Sequence, residues 1–309
     1  MLRSITTPIS AASLCAVLVL APLSVSAKDG VATENRAFHA ATHIAQAKPA
    51  KRSITKIKGN LYRFQNNFHY SVFAVTPNGV IATDPINAAA ATWLKAELKK
   101  RFNQSVKYLI YSHDHYDHIS GGEVFADTAV VISHANAKSV IVGEKRRTAV
   151  PELTFRKRMT IELGGTVVHL RYVGRNHSNN MIVMHFPKER VLFAVDFIPV
   201  NSVAFRDFPD AYLDDWIRSL KRVERMDFDI LVPGHGRIGE RRHVKLHRVY
   251  LQDLRRAVLT RARQGKSLAQ IKAEVKLEKY KGWFGYKNWF ALNVEGMYRM
   301  IQTNRRATP

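Results

Sequence analysis

The segment from Tyr111 to His118 contains three histidines and two aspartates within six consecutive residues. Imidazole nitrogens and carboxylate oxygens are the usual ligands of a borderline-soft divalent metal ion. Alternate side chains of an extended segment point to the same side, so His113 and His115 can meet at one point. Asp117 and His118 lie further along the loop and can face a second point. The spacing therefore predicts one short loop that serves two metal ions.

The residues around this loop predict how it is positioned. An apolar run from Val106 to Tyr111 precedes the loop, and the pair Gly121-Gly122 follows it. The run is typical of a buried strand, and the glycines are typical of a tight turn. The loop is therefore expected at the end of a strand.

Strand-like and helix-like segments follow each other in two similar halves. In the first half, short β-type runs surround a hairpin turn at Pro77-Asn78-Gly79 and precede a helix-like segment from Ala88 to Arg101. In the second half, apolar runs between Val167 and Val195 precede a helix-like segment from Tyr212 to Val223. This order predicts an α/β fold, a four-layer α/β/β/α sandwich in one domain over residues 54–309, with the site where strand ends from both halves meet.

Four more residues that could do chemistry follow apolar runs elsewhere in the chain. They are Asp84 after Val80–Thr83, His177 in Gly174–Ser178, Asp196 after Val191–Val195, and His235 in Pro233-Gly234-His235-Gly236. Together with the loop from His113 to His118, and in this order, they resemble the five motifs of the metallo-β-lactamase superfamily. The resemblance covers roughly residues 54 to 300 and implies the α/β/β/α sandwich of that family.

The resemblance implies two metal sites that share a carboxylate. It assigns His113, His115 and His177 to the first metal ion, and Asp117, His118 and His235 to the second. Asp196 would bridge the two ions, and Asp84 would accept the N–H of a metal-bound histidine. Asp117 would also orient the attacking hydroxide and pass a proton to the leaving group. Two zinc ions per chain suit this ligand set, and iron and manganese stay open.

Two residues depart from the usual motifs. Asn180 stands where the family commonly has a glycine, three residues after the third-motif histidine, and Val195 stands where a glycine commonly precedes the bridging aspartate. Neither change removes a ligand, so their effect falls on the shape of the pocket wall. The predicted substrate contacts are neighbours of the ligands or lie in loops close to the site mouth: Tyr116, His69, Phe197 and Phe205.

Residues 1–27 are predicted to be a signal peptide. Arg3 supplies a positive start, Ala11 to Leu23 is a short apolar run, and Val25-Ser26-Ala27 is a small-residue cleavage site. Cleavage after Ala27 predicts a periplasmic or secreted protein, and residues 28–53 are predicted to be a flexible arm. No apolar stretch reaches about 18 residues, so no transmembrane span is predicted.

Cysteine content and charge limit the remaining choices. The only cysteine, Cys15, lies in the predicted signal peptide, so the mature chain cannot supply a thiolate ligand or form a disulfide. The formal net charge of the chain is +23, which attracts polyanions. The basic residues are scattered, however, and no separate RNA-binding module is recognisable. A solvated basic surface is therefore favoured over nucleic-acid binding, which stays an open alternative.

The predicted function is that of an exported zinc hydrolase, in which a metal-bound hydroxide attacks an ester, lactone, thioester or β-lactam bond of a small molecule. The Cys-free ligand set is compatible with β-lactamase activity, whereas a bridging Asp196 is more typical of glyoxalase-type and lactonase-type members. Two alternatives stay open. The charge allows a phosphodiesterase or nuclease that acts on nucleic acid, and the first three histidines allow a mononuclear iron persulfide dioxygenase. The sequence makes no prediction of the oligomeric state.

Overall fold

A computed structural model describes residues 49–303 of the chain. The predicted signal peptide, residues 28–48 of the predicted arm, and residues 304–309 lie outside the described part. The first strand begins at Arg52, so Arg52 and Ser53 of the predicted arm belong to a sheet. Between residues 49 and 303, no helix combines the length and the apolar character needed to cross a membrane.

The first sheet has seven strands, which lie side by side in chain order. They are β1 (Arg52–Lys58), β2 (Leu61–Asn66), β3 (His69–Thr76), β4 (Gly79–Thr83), β5 (Val106–Ile110), β6 (Val130–His134) and β7 (Leu153–Phe155). Strands β1 to β4 pair antiparallel, and β4 to β7 pair parallel. The predicted turn at Pro77-Asn78-Gly79 joins β3 to β4, and Gly79 has a φ of 126° that disfavours any side chain.

The second sheet has six strands in the spatial order β13-β12-β11-β10-β9-β8. They are β8 (Arg158–Leu163), β9 (Thr166–Arg171), β10 (Val183–Phe186), β11 (Val191–Val195), β12 (Ile230–Pro233) and β13 (Gly239–Glu240). The β11–β12 pair is parallel, and the other pairs are antiparallel. Because parallel neighbours end at the same edge of a sheet, Asp196 after β11 and His235 after β12 emerge side by side.

The α-helices of the described part are α1 (Ala88–Phe102), α2 (Tyr116–Ile119), α3 (Ala135–Gly143), α4 (Leu213–Val223), α5 (Arg242–Arg263), α6 (Leu268–Glu274) and α7 (Tyr286–Thr303). Local side chains set the start of two of them. Asn87 accepts the backbone N–H of Ala90 at 2.9 Å and caps α1. Ser267 forms a reciprocal capping box with Gln270 at the start of α6.

Alternating side chains along the first sheet contribute to two hydrophobic cores. In β3, Val72 and Ala74 belong to the core that holds residues of both sheets, whereas Phe73 between them joins Leu94 of α1 in the other core. The shared core extends through the second sheet to Trp216 of α4 and into α5. The two sheets therefore face each other with helices outside them, and the predicted α/β/β/α sandwich is confirmed.

Candidate metal centre

The turns after β5, β9, β11 and β12 bring all the predicted metal ligands into one cluster. Their ligand atoms form two groups, and within each group all atoms lie within 4.8 Å of one another. The first group is His113, His115, His177 and Asp196, and the second group is Asp117, His118, Asp196 and His235. These groups match the two sets predicted from the sequence, with Asp196 common to both.

In the first group, three imidazole nitrogens and one carboxylate oxygen converge. His115 Nδ1 lies 3.3 Å from His177 Nε2. Asp196 Oδ2 lies 3.7 Å from His177 Nε2 and 3.8 Å from His113 Nε2. Imidazole and carboxylate atoms at these separations enclose a space that suits one metal ion.

In the second group, the same carboxylate meets two other histidines. Asp196 Oδ2 lies 3.2 Å from His118 Nε2, and Asp196 Oδ1 lies 3.2 Å from His235 Nε2. The two imidazole nitrogens are themselves 3.2 Å apart. Asp117 Oδ2 completes the group at 3.4 Å from His235 Nε2 and 3.5 Å from His118 Nε2. Asp196 therefore presents one oxygen to each of two histidines and also reaches the first group.

Two buried polar atoms that face the centre of the cluster have no hydrogen-bond partner among the described residues. They are His113 Nε2 and Asp196 Oδ1, whose contact with His235 is too poorly aligned to count as a hydrogen bond. A buried polar atom without a partner costs about 1–3 kcal/mol. A divalent metal ion would satisfy both atoms. The donor set of imidazole and carboxylate, without thiolate, fits zinc and also accommodates iron or manganese.

Four of the five histidines are also held on the ring nitrogen that points away from the cluster. Three of the contacts are hydrogen bonds: His113 Nδ1 to Ser112 Oγ (2.8 Å), His115 Nε2 to Asp210 Oδ2 (3.0 Å) and His235 Nδ1 to the Phe68 carbonyl (3.1 Å). The fourth, His118 Nδ1 to Asp84 Oδ2 at 3.3 Å, lies at ion-pair distance. Such partners fix the ring orientation and leave the opposite nitrogen for a metal ion. The sequence predicted a partner role for Asp84. It did not predict one for Asp210 or Phe68, which lie 95 and 167 residues from their histidines.

Burial and charge act in opposite directions on the histidines. Burial lowers the pKa of His113 well below its usual value and lowers the pKa of His177 to about 4. Burial also acts to lower the pKa of His118 and His235, but the Asp196 carboxylate and its neighbours outweigh it. The pKa of His118 is therefore well above its usual value, and the pKa of His235 is raised to about 9. Concentrated negative charge at this point favours a cation.

The backbone is strained and crowded where β11 and β12 end. Val195 has a φ of 36°, in the left-handed region that is unfavourable for a β-branched residue. This is the position where the family commonly has a glycine, so the departure places strain beside Asp196. The neighbouring Gly234 permits close approach, because a Cβ there would lie 2.6 Å from Val195 Cγ1 and 2.9 Å from His118 Cε1.

Two of the four predicted substrate contacts lie next to the ligands. His69 Nε2 is 3.2 Å from Asp117 Oδ2, and the His69 ring centroid is 4.7 Å from that of His235. Tyr116 is 57% exposed and precedes Asp117 in α2. Both residues are therefore placed where a bound molecule could touch them.

The other two predicted contacts lie elsewhere. Phe197 is fully buried, and its carbonyl accepts the indole N–H of Trp216 at 2.9 Å. Its ring belongs to the hydrophobic core, so the prediction that it lines the pocket is wrong; the chain turns its side chain inward directly after Asp196. Phe205 is 54% exposed and packs edge-on against Trp289 at 5.1 Å between ring centroids.

Sequence reasoning gave no role to Asp114, Arg146 or Asn180, which contact one another beside the metal loop. Arg146 belongs to the charged run Glu144–Arg147, and nothing in that run distinguishes it from its neighbours. The one sequence feature that could have pointed to these residues was Asn180, which stands where the family commonly has a glycine.

Two facing sheets with a histidine and aspartate cluster at their strand ends define a class of candidate metal-binding enzymes. The chain belongs to the metallo-beta-lactamase superfamily, whose sequence model matches residues 83–235. The matched stretch begins just before Asp84 and ends at His235, so it contains every residue of both ligand groups. Members of this superfamily related to the chain are metallo-hydrolases.

Relatives and solved structures agree with this membership. The chain is 27% identical over 184 residues to 2,4-dinitroanisole O-demethylase subunit alpha of Nocardioides sp. (strain JS1661), an alignment that covers 58% of this chain and only 56% of that subunit. It is 26% identical over 200 residues to metallo-beta-lactamase type 2 of Bacteroides fragilis, covering 60% of this chain and 80% of the relative. The structure of a metallo-beta-lactamase from Pontibacter korlensis superposes with a TM-score of 0.60 at 20% identity, covering 65% of this chain and 99% of the other, and this similarity shows the fold.

Proposed function

We propose that the protein is an exported hydrolase that uses two zinc ions to open an ester, lactone, thioester or β-lactam bond of a small molecule. The observation that carries the proposal is the pair of ligand groups that share Asp196. When bound, two such ions lower the pKa of a coordinated water toward about 7 and polarise the acyl oxygen.

The chain's own residues divide the work between holding the ions and handling the proton. His113, His115 and His177 would hold one ion, Asp117, His118 and His235 the other, and Asp196 would contact both. Zinc suits this set because it contains five imidazoles, two carboxylates and no thiolate.

Asp117 is the residue proposed to move the proton. Burial raises its pKa, but the neighbouring His235, His69 and His118 outweigh this and hold the pKa well below its usual value, so the carboxylate is ionised. His69 Nε2 contacts Oδ2 at 3.2 Å, which leaves Oδ1 free to orient a water. With 45% of its side chain exposed, Asp117 can accept a proton from that water and deliver it to the leaving group.

The bond that is opened is best sought with a panel of substrates. The name of the Bacteroides fragilis relative supports including β-lactams, and the name of the Nocardioides relative supports including 2,4-dinitroanisole. A bridging Asp196 supports lactones and thioesters. The panel also needs a phosphodiester and glutathione persulfide, because the charge of +23 and the three first-group histidines support those alternatives.

The test measures metal content and the panel rates on one purified sample. We expect two zinc equivalents per chain, hydrolysis of at least one acyl substrate, loss of that activity with a chelator, and recovery with zinc. One metal equivalent or less after zinc addition would overturn the binuclear proposal. Hydrolysis confined to the phosphodiester would favour a nuclease, and persulfide oxidation with one bound iron would favour the dioxygenase.

Export is a separate part of the proposal. It is supported by Arg3, the apolar run from Ala11 to Leu23 and the small residues up to Ala27. We expect the mature chain in the periplasmic or culture fraction, with Lys28 as its first residue by N-terminal sequencing. A full-length chain retained in the cytoplasm would contradict export and leave the hydrolase proposal intact.

A further inference from the structure

We propose that Asp114, Arg146 and Asn180, together the Asp114 cluster, are positioning residues that hold the first ligand group in its metal-binding arrangement. The proposal rests on the proposed metal centre and assigns it a support that the ligand motifs do not contain. Asp114 lies between His113 and His115 in the chain, and Asn180 lies three residues after His177. The cluster therefore touches both segments that deliver the histidines of the first group.

Asp114 is fixed by both neighbours through its side chain and its backbone. Its Oδ1 accepts Asn180 Nδ2 at 2.7 Å, and its Oδ2 lies 3.0 Å from Arg146 Nη2. Its backbone N–H donates to Asn180 Oδ1 at 3.1 Å, and its carbonyl accepts Arg146 Nη1. Four contacts on one residue remove its freedom to rotate, and the flanking His113 and His115 share that backbone.

Asn180 acts here as a substitute for a peptide group. The backbone N–H of Ile182 donates to the carbonyl of Ser112 at 2.9 Å, which links the segment before β10 to the segment after β5. The Asn180 amide continues that pairing, because its Oδ1 accepts the next N–H on the same side, that of Asp114. A glycine at position 180, as the family commonly has, supplies neither the acceptor nor the donor.

Arg146 supplies the charge that the Asp114 carboxylate needs. Asp114 is only 6% exposed, and 10% of the Arg146 side chain is exposed. A buried carboxylate without a cation is strongly unfavourable. The guanidinium also lies 4.5 Å from the centre of the Tyr116 ring. Arg146 thus contacts the residues on both sides of His115 and closes the loop around that ligand.

The test measures zinc affinity by titration against a chromophoric chelator, one site at a time. The His235→Ala background removes a ligand of the second group, so the remaining equivalent reports on the first group. The His177→Ala background reports on the second group in the same way. In the first background we expect Asn180→Gly and Arg146→Met to weaken zinc binding about 10–100-fold, the usual cost of removing the outer partners of ligands. In the second background we expect the same two substitutions to change the zinc affinity of the second group less than about threefold.

The matched control is Arg147→Met, because Arg147 is the exposed neighbour of Arg146. It should leave both affinities unchanged. Wild-type affinity of the first group in Asn180→Gly would overturn the proposal, and so would an equal loss at both groups, which would indicate general destabilisation.

An exchange of side chains separates positioning from folding. Asn180→Asp places a second carboxylate against that of Asp114. It should lower the zinc affinity of the first group at least as much as Asn180→Gly does. Adding Asp114→Asn restores a hydrogen-bond donor opposite an acceptor. The double variant should therefore bind zinc at the first group at least tenfold more tightly than Asn180→Asp alone. If Arg146→Met does not fold, the comparison of these two variants decides whether the Asp114 cluster positions the first group. A double variant no better than Asn180→Asp alone would overturn the proposal.

Failure of this inference differs from failure of the proposed function. Wild-type protein that binds zinc but hydrolyses no member of the panel would overturn the hydrolase proposal, while the affinity ratios would still decide the role of the Asp114 cluster. Wild-type protein that binds no metal would overturn both.

Discussion

The two ligand groups share Asp196 and differ in how they meet the solvent. The first group is enclosed, with none of the His113 side chain and 14% of the His177 side chain exposed. The second group is open on one side, with 45% of the Asp117 side chain and 39% of the His235 side chain exposed, although His118 is fully buried. Burial therefore lowers the pKa of His113 and His177 in the first group, whereas neighbouring carboxylates raise the pKa of His118 and His235 in the second.

This difference shows that one short loop can serve two environments. His113 and His115 leave the loop toward the enclosed side, and Asp117 leaves it toward the solvent. The enclosed imidazoles of His113 and His177 are suited to retain a metal ion, because their lowered pKa means that no proton must be displaced from them near neutral pH. The open set, which contains Asp117 and lies beside His69, is suited to meet the substrate.

The largest effect is expected from the open group. Asp117→Ala and His235→Ala should each lower the rate of hydrolysis by at least ~10³-fold, because each removes a ligand beside the reacting water. The control is Asp127→Ala, an exposed carboxylate paired with Lys95, which should cost less than about threefold. Steady-state rates on the best panel substrate measure this. Equal losses in all three variants would mean that the site lies elsewhere.

Asp196→Ser tests whether the shared carboxylate serves both groups equally. The Asp196 oxygens lie 3.2 Å from nitrogens of the second group and at least 3.7 Å from those of the first. We therefore expect this variant to lose the second zinc equivalent first, with affinity lower by about 10–100-fold, and to shift the ratio of lactone to β-lactam hydrolysis. Metal content and that rate ratio are the measurements. Unchanged values of both would place Asp196 outside the ligand set.

The two supporting carboxylates sharpen the comparison further. Asp84 is fully buried behind His118, whereas 60% of the Asp210 side chain behind His115 is exposed. Asp84→Asn should weaken zinc binding about tenfold or more. Asp210→Asn should cost less than about threefold, because exposed pairs contribute little and water can replace them. Chelator-competition titrations of both variants compare them directly, and a larger loss in Asp210→Asn would reverse our ranking.

The smallest expected effect concerns the core behind the first group, where Trp216 packs against both His177 and His247 at 5.7 and 5.6 Å between ring centroids. Burial lowers the pKa of His247 from 6.5 to about 3. As the pH falls, the imidazole of His247 therefore takes up a proton in the unfolded chain before it does so in the folded chain. The folded state loses stability between pH 6.5 and pH 3, by up to about 1.4 kcal/mol per pH unit.

His247→Leu should remove that loss. The free energy of unfolding of metal-free protein can be measured with urea at pH 7 and pH 5. Relative to wild type, the variant should be more stable at pH 5 than at pH 7 by roughly 2 kcal/mol. The control is Val258→Ala, a buried position on the same helix that removes no titratable group, and it should keep the wild-type pH dependence. An unchanged pH dependence in His247→Leu would show that His247 is not held neutral in the folded chain.

Local pattern predicted most of the elements that carry the site. The β-type runs around the turn at Pro77-Asn78-Gly79 and the helix-like segments from Ala88 to Arg101 and from Tyr212 to Val223 are local patterns, and the structure has strands β3 and β4 and helices α1 and α4 there. The ligand set could also be proposed, because the five motifs that contain it resemble those of the metallo-beta-lactamase superfamily. Phe197 could not be placed in this way, since its position after a ligand is equally compatible with a pocket wall and with the core.

The sequence by itself determined which residues could bind a metal ion, because the donor residues of the loop from His113 to His118 are neighbours and the remaining motifs resemble those of the superfamily. Only the tertiary structure decided what surrounds those donors. Asn180 meets Asp114 across 66 residues, and Asp210 meets His115 across 95. Such contacts depend on how two sheets and their loops pack together, so the periodicity of the sequence cannot predict them. Burial, charge and solvent access follow from that packing, and they make the two ligand groups different.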